Sequence, residues 1–284
     1  MTLETPRIAV VGSVNLDIVA TGPKLPAPGE TVTGASLARH PGGKGANQAL
    51  AAQRLGAQAQ LFAKVGADND AEEALRLLRE SHVDLSGVVF DPHAATGVAL
   101  IAVAACGENQ IMVSPGANAH FTPDDLTLES ADAVICQLEI PVETAARAAA
   151  ADAFFCLNAA PAKPLPEDLL RAADLIVVNE TEAAFYGDTI FAGAGLTAVT
   201  YGAEGAALYK KGNEIARAQP PNVDIVDTTG AGDAFVAALT LACMQSRSPA
   251  SALSFACLAG AHAASRAGAQ PSLDTLAELT GRQS

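Results

Sequence analysis

Short apolar runs, each closed by glycine or a polar side chain, recur along the chain and mark its predicted elements. Arg7 to Val11 ends at Gly12 and reads as a buried strand. Ser13, Asn15 and Asp17 follow at alternating positions, so a strand through them would carry all three on one face. A solvated edge would look the same, but this face offers both an amide and a carboxylate. Pro23, Pro26, Pro28 and Gly29 break the pattern, and Thr31 to Leu37 resumes it as an extended piece. A helix is predicted from about Ala46 to Leu55. Leu61 to Gly66 reads as a strand running into Asp68, Asn69 and Asp70, acids suited to the start of a helix over 71–80. Val88 to Phe90 and Gly97 to Ala105 look like strands, with a hairpin turn at Gly107-Glu108-Asn109 and a return over Gln110 to Val113. Together with Val14 to Leu37 they are expected to form a small sheet standing off a larger body.

Beyond Ala131 the pattern becomes a regular alternation of strands and helices. Ala133 to Leu138 ends at Glu139 and is followed by a helix over Val142 to Ala151. Phe154 to Leu157 ends at Asn158, Leu175 to Val178 ends at Asn179, and Leu196 to Thr200 ends at Tyr201-Gly202. Val223 to Val226 reads as a further strand. Helical patterns follow over Ala234 to Met244 and Ser254 to Ala264. Such alternation predicts an α/β fold with a mostly parallel sheet and right-handed crossovers. Open sheets of this kind bind ligands at the carboxyl ends of their strands. Glu139, Asn158, Asn179, Glu182 and Thr200 are therefore expected on one rim, together with Gly230 to Asp233. Between Glu182 and Leu196 there is room for only a short helical piece and a Gly-rich link.

Composition narrows the function classes. At 284 residues the chain suits one large α/β domain or a domain with a small appendage. Hydrophobic residues make up 50%, ample for a core, while 4% aromatic residues and no Trp suggest Ala-rich helices outside it. Net charge is −14, which argues against nucleic acid as a partner, because phosphate contacts need Lys and Arg. A nucleotide would have to be held locally, by a helix N-terminus, a metal ion or a well-placed Lys. Cys106, Cys136, Cys156, Cys243 and Cys257 are scattered without a C-x-x-C pair and read as reduced thiols rather than a disulfide frame or zinc site. The first residues enter a strand without a basic n-region or cleavage pattern, and no apolar run is long enough to span a bilayer. Cytoplasm is the expected location, with no membrane partner.

Two Gly-rich stretches carry the chemistry. In Asp227-Thr228-Thr229-Gly230-Ala231-Gly232-Asp233-Ala234-Phe235 a turn opens a helix, leaving backbone N–H groups and the positive end of the helix dipole for an anion. Asp233 falls in the first turn of that helix. An ordinary turn and N-cap would satisfy the same pattern. A carboxylate base beside an anion cradle, however, is the equipment for moving a phosphoryl group onto a hydroxyl. In Pro41-Gly42-Gly43-Lys44-Gly45-Ala46-Asn47-Gln48-Ala49 two glycines and a Lys open a second helix, with Lys44 and Asn47 as side-chain donors. This is not a Walker A loop, and Gly12-Ser13-Val14 lacks the glycines of a dinucleotide fingerprint.

Both stretches resemble motifs of the ribokinase family of PfkB-type carbohydrate kinases, and the resemblance runs in the family's order from Gly12 to Ser272. It implies a central, mostly parallel sheet flanked by helices with a small β-sheet lid. The body would comprise 1–13, 40–92 and 114–284, and the lid 14–39 and 93–113. It implies Asp233 as catalytic base with Gly230, Ala231 and Gly232 as the anion hole, and Asn15, Asp17, Gly43, Lys44, Gly45, Asn47 and Glu139 as sugar ligands. Asn179 with Glu182 resembles the family's Asn-x-x-Glu motif, associated with Mg²⁺ and phosphate, although helix capping alone accounts for the same residues. Thr200, Gly202 and Gly205 resemble a turn beside the nucleotide, and the helix carrying Cys257 would wall the adenine, at a position often polar in relatives. Asp227, Thr229, Ala263, Arg266, Gly268 and Ser272 resemble a cage for K⁺, partly through backbone carbonyls. The implied activity is ATP-dependent phosphorylation of D-ribose at O5, in a homodimer paired through the lid. Alternatives are a fructokinase-like, deoxyribose or pseudouridine kinase, or a silent sugar or nucleotide sensor. Relatives usually carry another helix in the crossover after Glu182.

Overall fold

Consecutive apolar positions in the strands of the main sheet reflect burial on both of its faces. The computed structural model describes residues 5–193, 195–270 and 273–281. In chain order the elements are β1 (Arg7–Val11), β2 (Asn15–Gly22), β3 (Ser36–Gly42), α1 (Lys44–Arg54), β4 (Gln58–Gly66), α2 (Asn69–Ala74), α3 (Arg76–Glu80), β5 (Asp84–Asp91), β6 (Gly97–Ala104) and β7 (Asn109–Ser114). Two short 3₁₀ turns lead to β8 (Ala133–Cys136), α4 (Val142–Ala149), β9 (Phe154–Asn158), α5 (Glu167–Ala172), β10 (Leu175–Asn179), α6 (Glu180–Tyr186) and α7 (Thr189–Gly193). The chain continues with β11 (Leu196–Thr200), β12 (Ala206–Lys210), β13 (Asn213–Ala218), α8 (Ala231–Met244), α9 (Pro249–Ala264) and α10 (Leu276–Gly281).

A nine-stranded sheet has the order β13-β12-β11-β10-β9-β8-β1-β4-β5, parallel from β5 to β11 and antiparallel at β12 and β13. Ile8 and Val10 of β1 pack into the core built with α1, α8 and α9, while Ala9 and Val11 pack into the core on the other face with α4 and α5. Strands β8 and β10 divide in the same way, so none of their residues can be polar until the strand ends. Helix α8 is buried all round, from Asp233 to Ala242, which explains its Ala-rich composition.

The second sheet has four strands in the order β3-β2-β6-β7, all antiparallel except the β2–β6 pair. Its period of two gives it two distinct faces. Asp17, Ala99, Ile101, Ile111 and Val113 face a cavity against the main body. Leu37, Leu100 and Met112 lie in the opposite register and are exposed.

Several expectations change. Ser13, Asn15 and Asp17 do not share one strand: β1 stops at Val11, the chain leaves the main sheet over 12–14, and β2 begins the second sheet at Asn15. Val88 to Phe90 belongs to β5 at the edge of the main sheet, not to the small one. The extended piece forms a strand only from Ser36. The helix over 71–80 is interrupted at Leu75, with Asp68 capping its start by accepting from Ala71 N at 2.9 Å. Val223 to Val226 is not a strand. Pro220 and Pro221 carry the chain off β13, and the segment is held by Val226 N donating to Ala264 O at 2.9 Å. The crossover after Glu182 contains two short helices, α6 and α7, in place of the single helical piece expected there.

Candidate active site

Two cavities meet at the carboxyl ends of the parallel strands. One, about 430 Å³, is lined by polar groups from the second sheet, α1, α8 and the loop after β8, among them Asn15, Asp17, Lys44, Asn47, Glu139 and Asp233. The other, about 360 Å³, is largely apolar and is walled by Val223, Ile225, Phe235, Cys257, Gly260 and Ala261. Thr200, Thr228 and Gly232 line both, so a ligand in one can reach a ligand in the other across the start of α8.

Local geometry explains why glycine opens both helices. Gly230 has φ +82°, and a Cβ there would lie 2.8 Å from Ala269 O. Gly43 has φ +89°, and its Cβ would lie 2.6 Å from Asn15 N. At Gly232 a Cβ would meet open space, the junction of the cavities. The N–H groups of Gly230 and Gly232 have no acceptor among the described residues, as an anion cradle requires. Ala231 departs from the expected set, because its N–H donates to Thr228 O at 3.2 Å and closes the turn.

Asp233 is 6% exposed and its carboxylate is gripped at both oxygens. Asn47 Nδ2 donates to Oδ2 at 2.8 Å, and Gln48 Nε2 donates to Oδ1 at 2.9 Å. Burial pushes its pKa up; Lys44 and the two amide donors pull the other way, and Glu139 adds to the rise. Asp17, 9% exposed, has no hydrogen-bond partner among the described residues. Burial, with the charges of Glu139, Asp233 and Asp227, raises its pKa to about 7. Lys44 is partly buried, which disfavours its charge, but Asp233, Glu139 and Glu182 more than offset this and hold its pKa above the usual lysine value. Its backbone N–H donates to Glu139 Oε2 at 3.1 Å, and Ser13 Oγ donates to the same oxygen. Gly45 N donates to Ser13 Oγ at 3.4 Å. Asn47 Oδ1 is buried with no partner among the described residues.

The structure thus brings Asn15, Asp17, Gly43, Lys44, Asn47, Glu139, Asn179, Glu182, Thr200, Thr229, Gly230, Gly232 and Asp233 onto one cavity. Gly202, Gly205 and Cys257 line the other, and burial lifts the Cys257 thiol to about 11. Asn179 and Glu182 form a reciprocal helix cap, each accepting the other's N–H at 2.8 Å. Burial raises the Glu182 pKa, against Asn179 N–H and Lys44. Asp227 accepts from Thr229 N at 2.9 Å, Thr229 Oγ1 at 2.7 Å and Gly268 N at 2.9 Å, joining two of the segments expected around a cation. Although burial opposes it, those donors and His40 keep its pKa below the ordinary value. Ala263 O accepts from Arg266 N at 3.3 Å within the end of α9, and the Arg266 side chain pairs with Asp274 rather than with Asp227. Ser272 lies outside the described residues.

Three residues to which the sequence motifs assign no role support this site. Asn118 Nδ2 donates to Asn15 Oδ1 at 2.8 Å, which leaves the Asn15 NH₂ as the group it can offer a ligand. Gln48 holds Asp233, and Gln137 Nε2 donates to Gln48 Oε1 at 2.7 Å. Gln48 is detectable as a polar position on an Ala-rich helix beside Asn47; Asn118 and Gln137 carry no local signal.

The sequence profile described as pfkB family carbohydrate kinase matches residues 5–276. Ribokinase of Bacillus subtilis (strain 168) is 36% identical over 288 residues, spanning 96% of this chain and 98% of that protein. The crystal structure of ribokinase from Thermotoga maritima is 30% identical with a TM-score of 0.87, over 97% of this chain and 98% of that one. The structure of Arabidopsis thaliana ribokinase complexed with ribose and ATP is 28% identical with a TM-score of 0.86, over 98% of each chain.

Proposed function

The chain belongs to the pfkB family of carbohydrate kinases, and from that premise we propose that it transfers the γ-phosphoryl group of ATP to O5 of D-ribose. The observation that carries this reading is the junction of a polar and an apolar cavity at Gly232, with the buried Asp233 carboxylate beside it. Ribose occupies the polar cavity, its hydroxyls taken by Asp17, the Asn15 NH₂ and Asn47. Adenine lies against Cys257, Gly260 and Ala261 in the apolar one. Asp233 takes the O5 proton as the O5–P bond forms and the bond from phosphorus to the ADP oxygen breaks. The N–H groups of Gly230 and Gly232 and the Lys44 ammonium hold the charge spread over the moving phosphoryl oxygens. Positioning and electrostatics supply most of the acceleration in such transfers.

The reading extends to two ions. Among the described residues no cluster of three or more His, Cys, Asp or Glu could hold a metal by itself. Mg²⁺ needs no such cluster, being bound through one or two carboxylates, waters and substrate phosphates. Glu182 fits as that carboxylate: it lines the polar cavity, and only its Oε2 is engaged in the helix cap. Such an ion supplies charge neutralisation on the phosphates. Carbonyls of the Ala263–Gly268 segment with Asp227 and Thr229 are the donor set for K⁺. We also infer a lid of residues 14–39 and 93–113 on a body of the remaining chain, cytoplasmic residence, and a homodimer formed by the exposed lid face of Leu37, Leu100 and Met112. No helix among the described residues is long and apolar enough to cross a membrane.

The test is ADP release with ATP alone, then with ribose, fructose, deoxyribose, adenosine and pseudouridine in turn. Ribose is expected to give the highest kcat/KM, with ribose 5-phosphate as product. A higher kcat/KM for another acceptor would move the assignment within the family. Sugar and ATP binding without ADP release would make the protein a sensor.

A further inference from the structure

Asn47 and Gln48 are successive on α1, about 100° apart around its axis, yet both reach Asp233, one at each carboxylate oxygen. Asn47 lines the polar cavity, whereas Gln48 is fully buried and does not. Its two N–H bonds are both used: one goes to Asp233 Oδ1 and the other to Asn158 Oδ1 at 3.0 Å. Asn158 is itself oriented by donating Nδ2 to Val177 O at 3.1 Å. Gln48 Oε1 accepts from Gln137 Nε2 at 2.7 Å. Turning the Gln48 amide over would set its oxygen against two acceptors and its NH₂ against another NH₂. The chain of amides therefore has one consistent direction, ending at the carboxylate. Gln137 keeps that direction although its own Oε1 is buried without a partner among the described residues.

We propose that Gln48, backed by Gln137, is a positioning residue for the base: it turns Oδ1 of Asp233 into the protein and leaves Oδ2, beside Asn47, to receive the hydroxyl proton. The same donor stabilises the ionised form that a base must have at the start of the reaction. Other groups act on this carboxylate: Lys44 from the start of α1, Glu139 after β8 and Asp17 from β2. All three stay in place when Gln48 is changed, so a displaced titration reports on Gln48.

The inference rests on Asp233 as the base, and the experiment separates the two. kcat and KM for ribose are measured against pH for the wild type, Gln48→Leu, Gln137→Leu and Asp233→Asn, with melting temperatures recorded alongside. Gln48→Leu removes one of two side-chain donors to a buried carboxylate, so the acid limb of kcat is expected to move up by about one pH unit or more, with KM little changed. Gln137→Leu is expected to move the limb in the same direction by less, and it carries the test should Gln48→Leu fail to fold. A wild-type limb in the variants, even with a lowered melting temperature, reduces Gln48 to a packing residue and overturns the inference. Loss of turnover in Asp233→Asn with unmoved limbs in the glutamine variants leaves the base in place and sinks only the positioning role of Gln48. Retained turnover in Asp233→Asn overturns both.

Discussion

Asp17→Asn is expected to make the sugar-free protein more stable while weakening sugar binding. Asp17 is 9% exposed and has no hydrogen-bond partner among the described residues, and burial with three neighbouring carboxylates raises its pKa to about 7. In the unfolded chain it titrates near 3.8. Between those values the unfolded state has released the proton that the folded state still holds, so stability falls as pH rises from about 4 to about 7 and is level above. About three pH units at about 1.4 kcal/mol each give a cost of about 4 kcal/mol at pH 8, as an upper figure. Asn keeps the shape without the charge, so the variant should gain about 2–4 kcal/mol at pH 8, with the gain about 2–3 kcal/mol smaller at pH 5. Urea unfolding of both proteins at the two pH values measures this, and calorimetry with ribose measures the loss of binding. A wild type and variant with parallel stability–pH curves would refute the reasoning, because the buried charge would then cost nothing. Stabilisation together with unimpaired ribose binding would refute the role of Asp17 toward the sugar.

Two glycines in one turn should respond oppositely. Gly230→Ala puts a Cβ at φ +82° and 2.8 Å from Ala269 O, so a loss of about 1–3 kcal/mol is expected in thermal melts. Gly232→Ala adds a methyl in open space, so it should melt at or above the wild-type temperature while turnover collapses, since the methyl stands where the two cavities meet. Equal turnover in Gly232→Ala and wild type would remove the phosphoryl path from that junction. Replacing Na⁺ by K⁺ at constant ionic strength should raise kcat or nucleotide affinity, and Asp227→Ala should abolish the response. Identical rates in K⁺, Na⁺ and a large organic cation would leave Asp227 as the cap of its turn, holding Thr229 and Gly268.

Local physics makes part of this protein legible in its sequence alone. Arg7 to Val11 and Leu175 to Val178 can be read as strands because burial on both faces demands an unbroken apolar run. The turns at Gly43 and Gly230 can be read as helix openings because left-handed backbone and unpaired N–H groups are properties of a few consecutive residues. The family motifs then imply Asp233, Lys44 and Asn47. What lies beyond reach depends on partners distant in sequence. Gln137 meets Gln48 from 89 residues away, and Asn118 meets Asn15 from 103 away, so no local pattern announces either. Sheet membership fails for the same reason, since β2 and β5 differ in neighbours rather than in their own apolar pattern. Val223 to Val226 looks like a strand, but the sheet edge is already taken by β12 and β13, and the segment becomes a wall of the apolar cavity instead. The pKa of Asp17 is likewise invisible in the sequence: Glu139 after β8 and Asp227 and Asp233 of the turn into α8 act on it from two other segments, and only the tertiary fold brings those charges together.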